Sequence, residues 1–339
     1  MPRPMRASGP LLDRRRFLAA LAAAPLLAQG AEKTVMTVRG PVPATQLGVT
    51  LMHEHVIADL RPLPERRLED YDRDAAIEAC YPHLRDVRAL GAMTLVEPTP
   101  LHIGRDLEAL RALSERADIR IVGATGIYGA ANQSFIPRYA FEEPAEKLAE
   151  RYLREIEDGV GPSRIRPGLI KTGVNRETPL PDIERKLVRA AALAGKQSGL
   201  TVAAHTGPAA PAREELRILQ EAGLPEDRFI WVHAQNEDTH AARIELAKEG
   251  IWVELDGISP RSAEKHLDAV KAMADAGQLH RTLLSQDAGW YRPGPEGASK
   301  YRDYGFLLHT FVPMLREAGF FAKEIDQLLV DNPARALAG

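Results

Sequence analysis

A closed barrel of eight parallel strands, each followed by a helix, is the α/β fold class that this sequence predicts. Three observations point to it. Short runs of strand type alternate with longer helical patterns along most of the chain. The short runs are apolar throughout, as strands covered on both faces are. Histidine, lysine and aspartate stand where those runs end, the place where such barrels keep their chemistry. The first run, Val49–Met52, is partly β-branched and is followed by a helical pattern over Asp74–Leu90. The strands that follow are Met93–Glu97, Arg120–Thr125, Gly168–Lys171, Thr201–Ala204, Phe229–Val232, Trp252–Leu255 and Thr282–Ser285. Between them, 3.6-residue periodicity predicts helices over Arg105–Ala117, Pro144–Glu157, Ile183–Ser198, Ala212–Ala222, Thr239–Lys248 and Ala263–Ala276. The tail gives helices at Phe306–Leu315 and Ala322–Val330, and Asn332-Pro333 opens a last short one; these belong to the barrel wall. Eight units in ~300 residues is the scale of a (β/α)8 TIM barrel. An open parallel sheet is the alternative, but no Gly-x-Gly-x-x-Gly follows an early strand, which disfavours a dinucleotide-binding version. No linker, low-complexity tract or short repeat divides residues 32–339, which are expected to form one domain.

The 339 residues carry a net charge of -3, which argues against a nucleic-acid surface. The single cysteine, Cys80, excludes an intrachain disulfide and a zinc–thiolate cluster, and its helical context makes it core filler. Residues 1–31 read differently from the rest. Arg14-Arg15-Arg16 precede the apolar stretch from Phe17 to Ala28, too short to span a bilayer, and small residues follow. Arg-Arg-x-Phe-Leu resembles a twin-arginine export signal, although Asp13 stands where Ser or Thr is usual. The expectation is a signal peptide and a periplasmic or secreted protein with no membrane span.

Two histidines one residue apart on an extended strand face the same way, so His53 and His55 make half a metal site. The fourth strand ends in Ile170-Lys171-Thr172-Gly173, the fifth in Ala204-His205-Thr206-Gly207, the sixth in Val232-His233-Ala234 and the eighth in Ser285-Gln286-Asp287. One histidine at such a place is more often a packed core residue than a ligand. Four histidines, a lysine and an aspartate arriving at one mouth from five strands form a pattern. In that order, and with Ile103-Gly104-Arg105-Asp106, Ala124-Thr125-Gly126-Ile127-Tyr128 and His205-Thr206-Gly207, the chain resembles the phosphotriesterase family of the amidohydrolase superfamily.

The resemblance implies two divalent metals. His53, His55 and Asp287 hold one, His205 and His233 hold the other, and Lys171 bridges them as N6-carboxylysine. Imidazole and carboxylate ligands without thiolates suit zinc first, with manganese, cobalt or iron as alternatives. An ammonium cannot ligate a cation, but a buried lysine loses its proton readily, and the neutral amine can take up carbon dioxide. Two metals ~3.5–4 Å apart hold a bridging hydroxide near neutral pH. The expected reaction is attack of that hydroxide on an ester carbonyl, with Asp287 passing its proton to the leaving group.

Family members that cleave organophosphates carry an Asp shortly after the strand-six histidine and a His after strand seven. Here Asn236 and Gly257 stand at those places and cannot relay a proton. Lactonase members place a tyrosine after strand three, as Tyr128 is placed, although they often carry an Arg where this chain has Gly257. In the last loop, Trp290 and Tyr291 are expected to line the substrate pocket and Arg292 to bind a carboxylate or phosphate. Asp256 is expected to support a metal-binding histidine, and Glu97 to border the pocket or pair with Arg105. The other histidines read as surface or packing residues, with His102 nearest the mouth. The expected function is hydrolysis of a small-molecule ester, above all a lactone, with weak promiscuous phosphotriesterase activity. The alternatives are an amide hydrolase for N-acyl amino acids, with Arg292 holding the carboxylate, and a non-catalytic metal-containing binding protein. The resemblance also carries a homodimer as an expectation.

Overall fold

The computed structural model describes residues 33–63 and 71–338; the predicted export signal lies outside them. Eight barrel strands follow one another around a single parallel sheet: Thr50–Leu51, Thr94–Glu97, Arg120–Thr125, Leu169–Gly173, Val202–His205, Phe229–Val232, Trp252–Leu255 and Thr282–Leu284. We refer to them as strands one to eight. Each joins its predecessor in parallel register, for example Lys171 opposite Ala203 and Val253 opposite Thr282. Strands one and eight meet through their continuations. His55–Ile57 pairs in parallel with Gly289–Tyr291, and Asp287 N donates to His53 O at 3.0 Å. The backbones come so close at this seam that a Cβ on Gly289 would strike the His55 carbonyl, and Gly289 sits at a φ of +93°. The barrel is therefore nearly closed, and what closes it lies at its mouth.

The helices Arg73–Ala89, Leu107–Ala117, Ala145–Asp158, Asp182–Ser198, Ala209–Ala222, His240–Lys248 and Ala263–Asp275 coat the sheet where periodicity placed them. Helix Ala209–Ala222 begins earlier than expected. Pro211 falls in its first turn, where a missing N–H costs nothing. An antiparallel hairpin, Thr34–Thr37 against Gly40–Pro43, was not legible, because Pro41 and Pro43 weaken its strand pattern.

Side chains alternate across each strand. Leu169 and Ala203 join Met52, Val96, Ile230, Trp252 and Leu283 inside the barrel, while Ile170 and Ala204 join the layer beneath the helices. The inner cluster continues to Ala336 and Leu337 of the last helix. Thr201 donates to Ala336 O at 2.5 Å, and Asn332 donates to Leu279 O and Thr282 O at 2.8 and 2.7 Å. The tail thus closes the barrel floor, beyond the wall role its sequence suggested. With the floor filled by apolar side chains, the polar residues at the other end stand alone over a packed base. Cys80 is fully buried, as core filler should be.

Candidate metal centre

Alternation that sends Leu169 and Ile170 to opposite faces sends Lys171 inward, to the layer above the apolar base. His53, His55, His205 and His233 meet it there. The Nε2 atoms of His53 and His55 lie 3.2 Å apart. The ring of His53 lies 5.2 Å from that of His233, which lies 4.4 Å from His205. Asp287 Oδ1 is 3.3 Å from His55 Nε2 and 4.0 Å from His53 Nε2.

The outer nitrogens of three of the histidines are committed elsewhere. His53 Nδ1 lies 3.1 Å from Glu254 Oε2 and 3.6 Å from Asp256 Oδ2. His55 Nδ1 bonds to Thr99 Oγ1 at 2.6 Å, and that hydroxyl donates to Glu97 Oε1. His233 Nδ1 bonds to Asp256 Oδ1, and its backbone N–H donates to Asp256 Oδ2 at 2.9 Å. An imidazole whose Nδ1–H is held by an oxygen presents its Nε2 lone pair on the opposite side, the tautomer that a metal requires. Asp256 takes the supporting part expected of it. Glu97 borders the centre through Thr99, while Arg105 pairs with Glu155 at 2.7 Å, so the suggested Glu97–Arg105 pair is corrected.

Whether cations fit can be judged from these atoms. Two imidazole lone pairs 3.2 Å apart repel unless something positive lies between them. The buried Oδ1 of Asp287, which faces them, has no hydrogen-bond partner. His53, His55 and Asp287 form one group with ligand atoms mutually within 4.8 Å, and His233, Asp256 and Asp287 form another. The set is oxygen and nitrogen without sulfur, which fits divalent zinc and its first-row neighbours. The backbone agrees. His233 and Asp287 both lie in the left-handed region, at φ of 63° and 50°, a conformation that costs ~1–3 kcal/mol and gathers at functional sites.

Electrostatics run the same way. Burial lowers the pKa values of His53 and His205 well below the usual imidazole range, keeping both neutral. Burial also pushes His55 down, but Asp287 and Glu97 outweigh it and the net shift is upward. Burial lowers Lys171 against the opposing pull of Glu254, Asp256, Asp287 and Glu97. Asp256 is held at about 2, because His233 overcomes the effect of burial. Burial, then Asp256, raises Glu254 well above the carboxylate range.

A cavity of about 130 Å³ opens over these groups, and Tyr128, Trp290, Phe135, Ile103, Leu60 and Pro98 contribute its apolar lining. Trp290 lies 4.1 Å from the His55 ring and is tied by its indole N–H to Asp287 O at 2.9 Å. Tyr128 sits 5.0 Å from His205. The other two loop residues are corrected. Gly289–Tyr291 is a strand, so its neighbours face opposite ways: Trp290 packs on His55, while Tyr291 joins the core cluster. Arg292, past the strand's end, pairs with Glu296 at 3.0 Å. His102 bonds to Tyr139 at 3.0 Å. Beside Gly257, Gln235 donates to Asp256 at 2.8 Å.

Glu54, Glu254, Thr99 and Phe135 were not singled out in the sequence. Glu254 had a signal: an acid inside the apolar strand Trp252–Leu255, two residues before Asp256 and so on its face.

A parallel barrel with such a mouth is the architecture of hydrolases that use metal ions. The chain belongs to the phosphotriesterase family, whose model, described as "Phosphotriesterase family", matches residues 33–337. It is 29% identical to the phosphotriesterase homology protein of Escherichia coli K12, over 85% of this chain and 97% of that one. It is 27% identical to the N-acetyltaurine hydrolase of Salmo salar, over 89% and 97%. Its fold matches a double mutant of an organophosphorus hydrolase from Deinococcus radiodurans with a TM-score of 0.80 at 27% identity, over 91% of this chain and 98% of that one.

Proposed function

We propose that this phosphotriesterase-family protein is a two-metal hydrolase of neutral esters, with lactones as the preferred substrates. The observation that carries the reading is the convergence of bare imidazole nitrogens and a partnerless Asp287 oxygen beneath an apolar cavity. His53, His55 and Asp287 would hold one cation, His205 and His233 the second, and Lys171 both. Metals bound there supply Lewis acidity and water ionised near neutral pH. Lys171 is suited to bridging because burial favours its neutral amine and, among the described residues, no hydrogen bond or ion pair engages it. The amine nitrogen bonds to the carbon of carbon dioxide and releases a proton, leaving a carbamate with two oxygens. Asp287 would accept the proton of the attacking hydroxide and return it to the leaving alkoxide. Tyr128, whose phenol burial keeps protonated, donates a hydrogen bond to the ester oxygen. Trp290, Phe135 and Ile103 exclude water from the acyl chain. Residues 1–31 would direct export before this centre acts outside the cytoplasm, a reading that rests on their sequence alone.

A second reading, amide hydrolysis, draws on the similarity to an N-acetyltaurine hydrolase. It needs a cation for the substrate's anionic group, and Arg292, which the sequence offered, is engaged with Glu296 instead. Metal analysis of purified protein, followed by a turnover screen of lactones, aryl esters, N-acyl amino acids and phosphotriesters, separates the readings. Two metal equivalents with fastest turnover of lactones is the expected result. Amide cleavage alone overturns the ester assignment, and bound metal without any turnover leaves a binding protein.

A further inference from the structure

We propose that Glu54, the residue between the two strand-one histidines, is the positioning residue that locks Asp287 to His53 and His55 across the barrel seam. In doing so it sets the affinity of the first metal site. The inference rests on the two-metal reading above. Alternation turns Glu54 away from the histidines, toward the flank of strand eight, where it is fully buried. Its Oε1 accepts from Ser285 Oγ at 2.8 Å, Gln286 N at 3.0 Å and Gln286 Nε2 at 3.3 Å. Its Oε2 accepts from Ala288 N at 2.7 Å. Asp287 is the residue between those two backbone donors, in a left-handed conformation that its neighbours must hold in place.

The same carboxylate reaches the other ligand. The Ser285 hydroxyl that donates to Glu54 accepts from His53 N at 2.8 Å. Glu54's own N–H donates to Val96 O at 3.0 Å, anchoring it to strand two. Across the seam Asp287 N donates to His53 O at 3.0 Å and His55 N to Ala288 O at 2.8 Å. Without Glu54 the N–H groups of Gln286 and Ala288 would be orphaned in the interior, a costly state, and this one side chain satisfies both. Every group on its two oxygens is a donor. A carboxylate offers acceptor oxygens on both sides, whereas a glutamine would turn an NH2 toward Ala288 N–H or toward Ser285 and Gln286.

A residue that merely filled space here would affect melting and leave metal affinity alone. Metal affinity is therefore the discriminating measurement, made by competition with a chromophoric chelator and by metal analysis after dialysis. In Glu54→Gln, one of two zinc ions is expected to bind ~10–100-fold more weakly, as when other supporting partners of ligands are removed. The second ion stays bound, and the visible spectrum of the cobalt-loaded protein changes. Should Glu54→Gln fail to fold, Ser285→Ala, which removes one donor and the acceptor for His53 N, is expected to weaken the same ion to a lesser degree. Wild-type affinity for both ions in the folded variant overturns the proposal. A wild-type protein that never holds two ions overturns the two-metal reading itself, a failure visible before any variant is made.

Discussion

Lys171 is the residue on which the proposed bridge depends. Replacing it by alanine is expected to lose bridged metal and all but a trace of turnover, and a short carboxylic acid should restore part of both by supplying two oxygens to the vacated space. Metal analysis with and without the acid checks this; full metal content in Lys171→Ala would remove the bridge. The role proposed for Tyr128 is on substrate instead. Tyr128→Phe is expected to lower kcat/KM for a lactone up to ~10-fold, the worth of one hydrogen bond, with metal content unchanged. A drop in metal content would place the tyrosine in the wrong role. At this scale the sequence was informative where chemistry is rare. Histidine, lysine and aspartate at strand ends have few other reasons to be there. It was uninformative where partners are set by three-dimensional neighbours. Glu254 and Thr99 hold histidines from other strands, with no local pattern to announce the contact. Tyr291 was misplaced because a loop-like stretch forms a strand, in which neighbours face opposite ways; Arg292 lies past the strand's end, where a bridge to Gly297 and the pair with Glu296 hold it.

Short motifs shared with the family turn out to be carpentry as much as chemistry. In Ile103-Gly104-Arg105-Asp106, Ile103 lines the cavity, Arg105 pairs with Glu155, and Asp106 caps helix Leu107–Ala117 by accepting from Glu108 N and Ala109 N at 3.1 Å. Gly126 has a φ of +114°, and a Cβ there would strike the Lys171 carbonyl. Gly126→Ala is expected to destabilise by ~1–3 kcal/mol and to shift Lys171; denaturant melts together with metal content test both. The helix behind strand five carries a different device. Thr206 has one hydroxyl proton but lies 2.9 Å from Ala204 O and 2.7 Å from Glu215 Oε2, while Glu215 Oε1 has no partner. The contacts are satisfied if Glu215 is the protonated partner. Burial first, then Glu184 and Glu214, raise its pKa to about 8, against the pull of Thr206. An acid whose pKa rises on folding binds more protons in the native state, so stability is greatest below the ordinary carboxylate range and falls as pH climbs to about 8. Glu215→Gln keeps the neutral shape. Its melting temperature is expected to exceed that of the wild type by a few degrees at pH 8 and by less at pH 5, within the roughly 2–4 °C that each kcal/mol supplies. An equal difference at both pH values would mean that Glu215 is ionised throughout. Helix and strand positions were legible because both periods repeat over many residues; the Glu215 contact, made by a helix to a loop, leaves no period.

Across the whole molecule, the fold and the site depend on each other at one place. Seven of the strand junctions are ladders of backbone hydrogen bonds within a single sheet, whereas strands one and eight meet only near the mouth. His53 and His55 lie on one side of that junction and Asp287 on the other, with Asp287 N bonded to His53 O at 3.0 Å. A cation held by all three would therefore cross-link the barrel where its backbone pairing is thinnest, and binding to the native state alone would stabilise it by mass action. At free metal ~100-fold above Kd the gain is ~2.7 kcal/mol, or roughly 5–10 °C for a chain of this kind. Chelation is expected to lower the melting temperature by about that amount and to speed amide exchange at Gln286, Ala288 and His55 ahead of the strand two to strand seven ladders. Adding metal back should reverse both changes. Lys171→Ala, already short of bridged metal, should respond less to the chelator. If chelation lowers melting but exchange accelerates evenly around the barrel, the cations are bound elsewhere than across the seam.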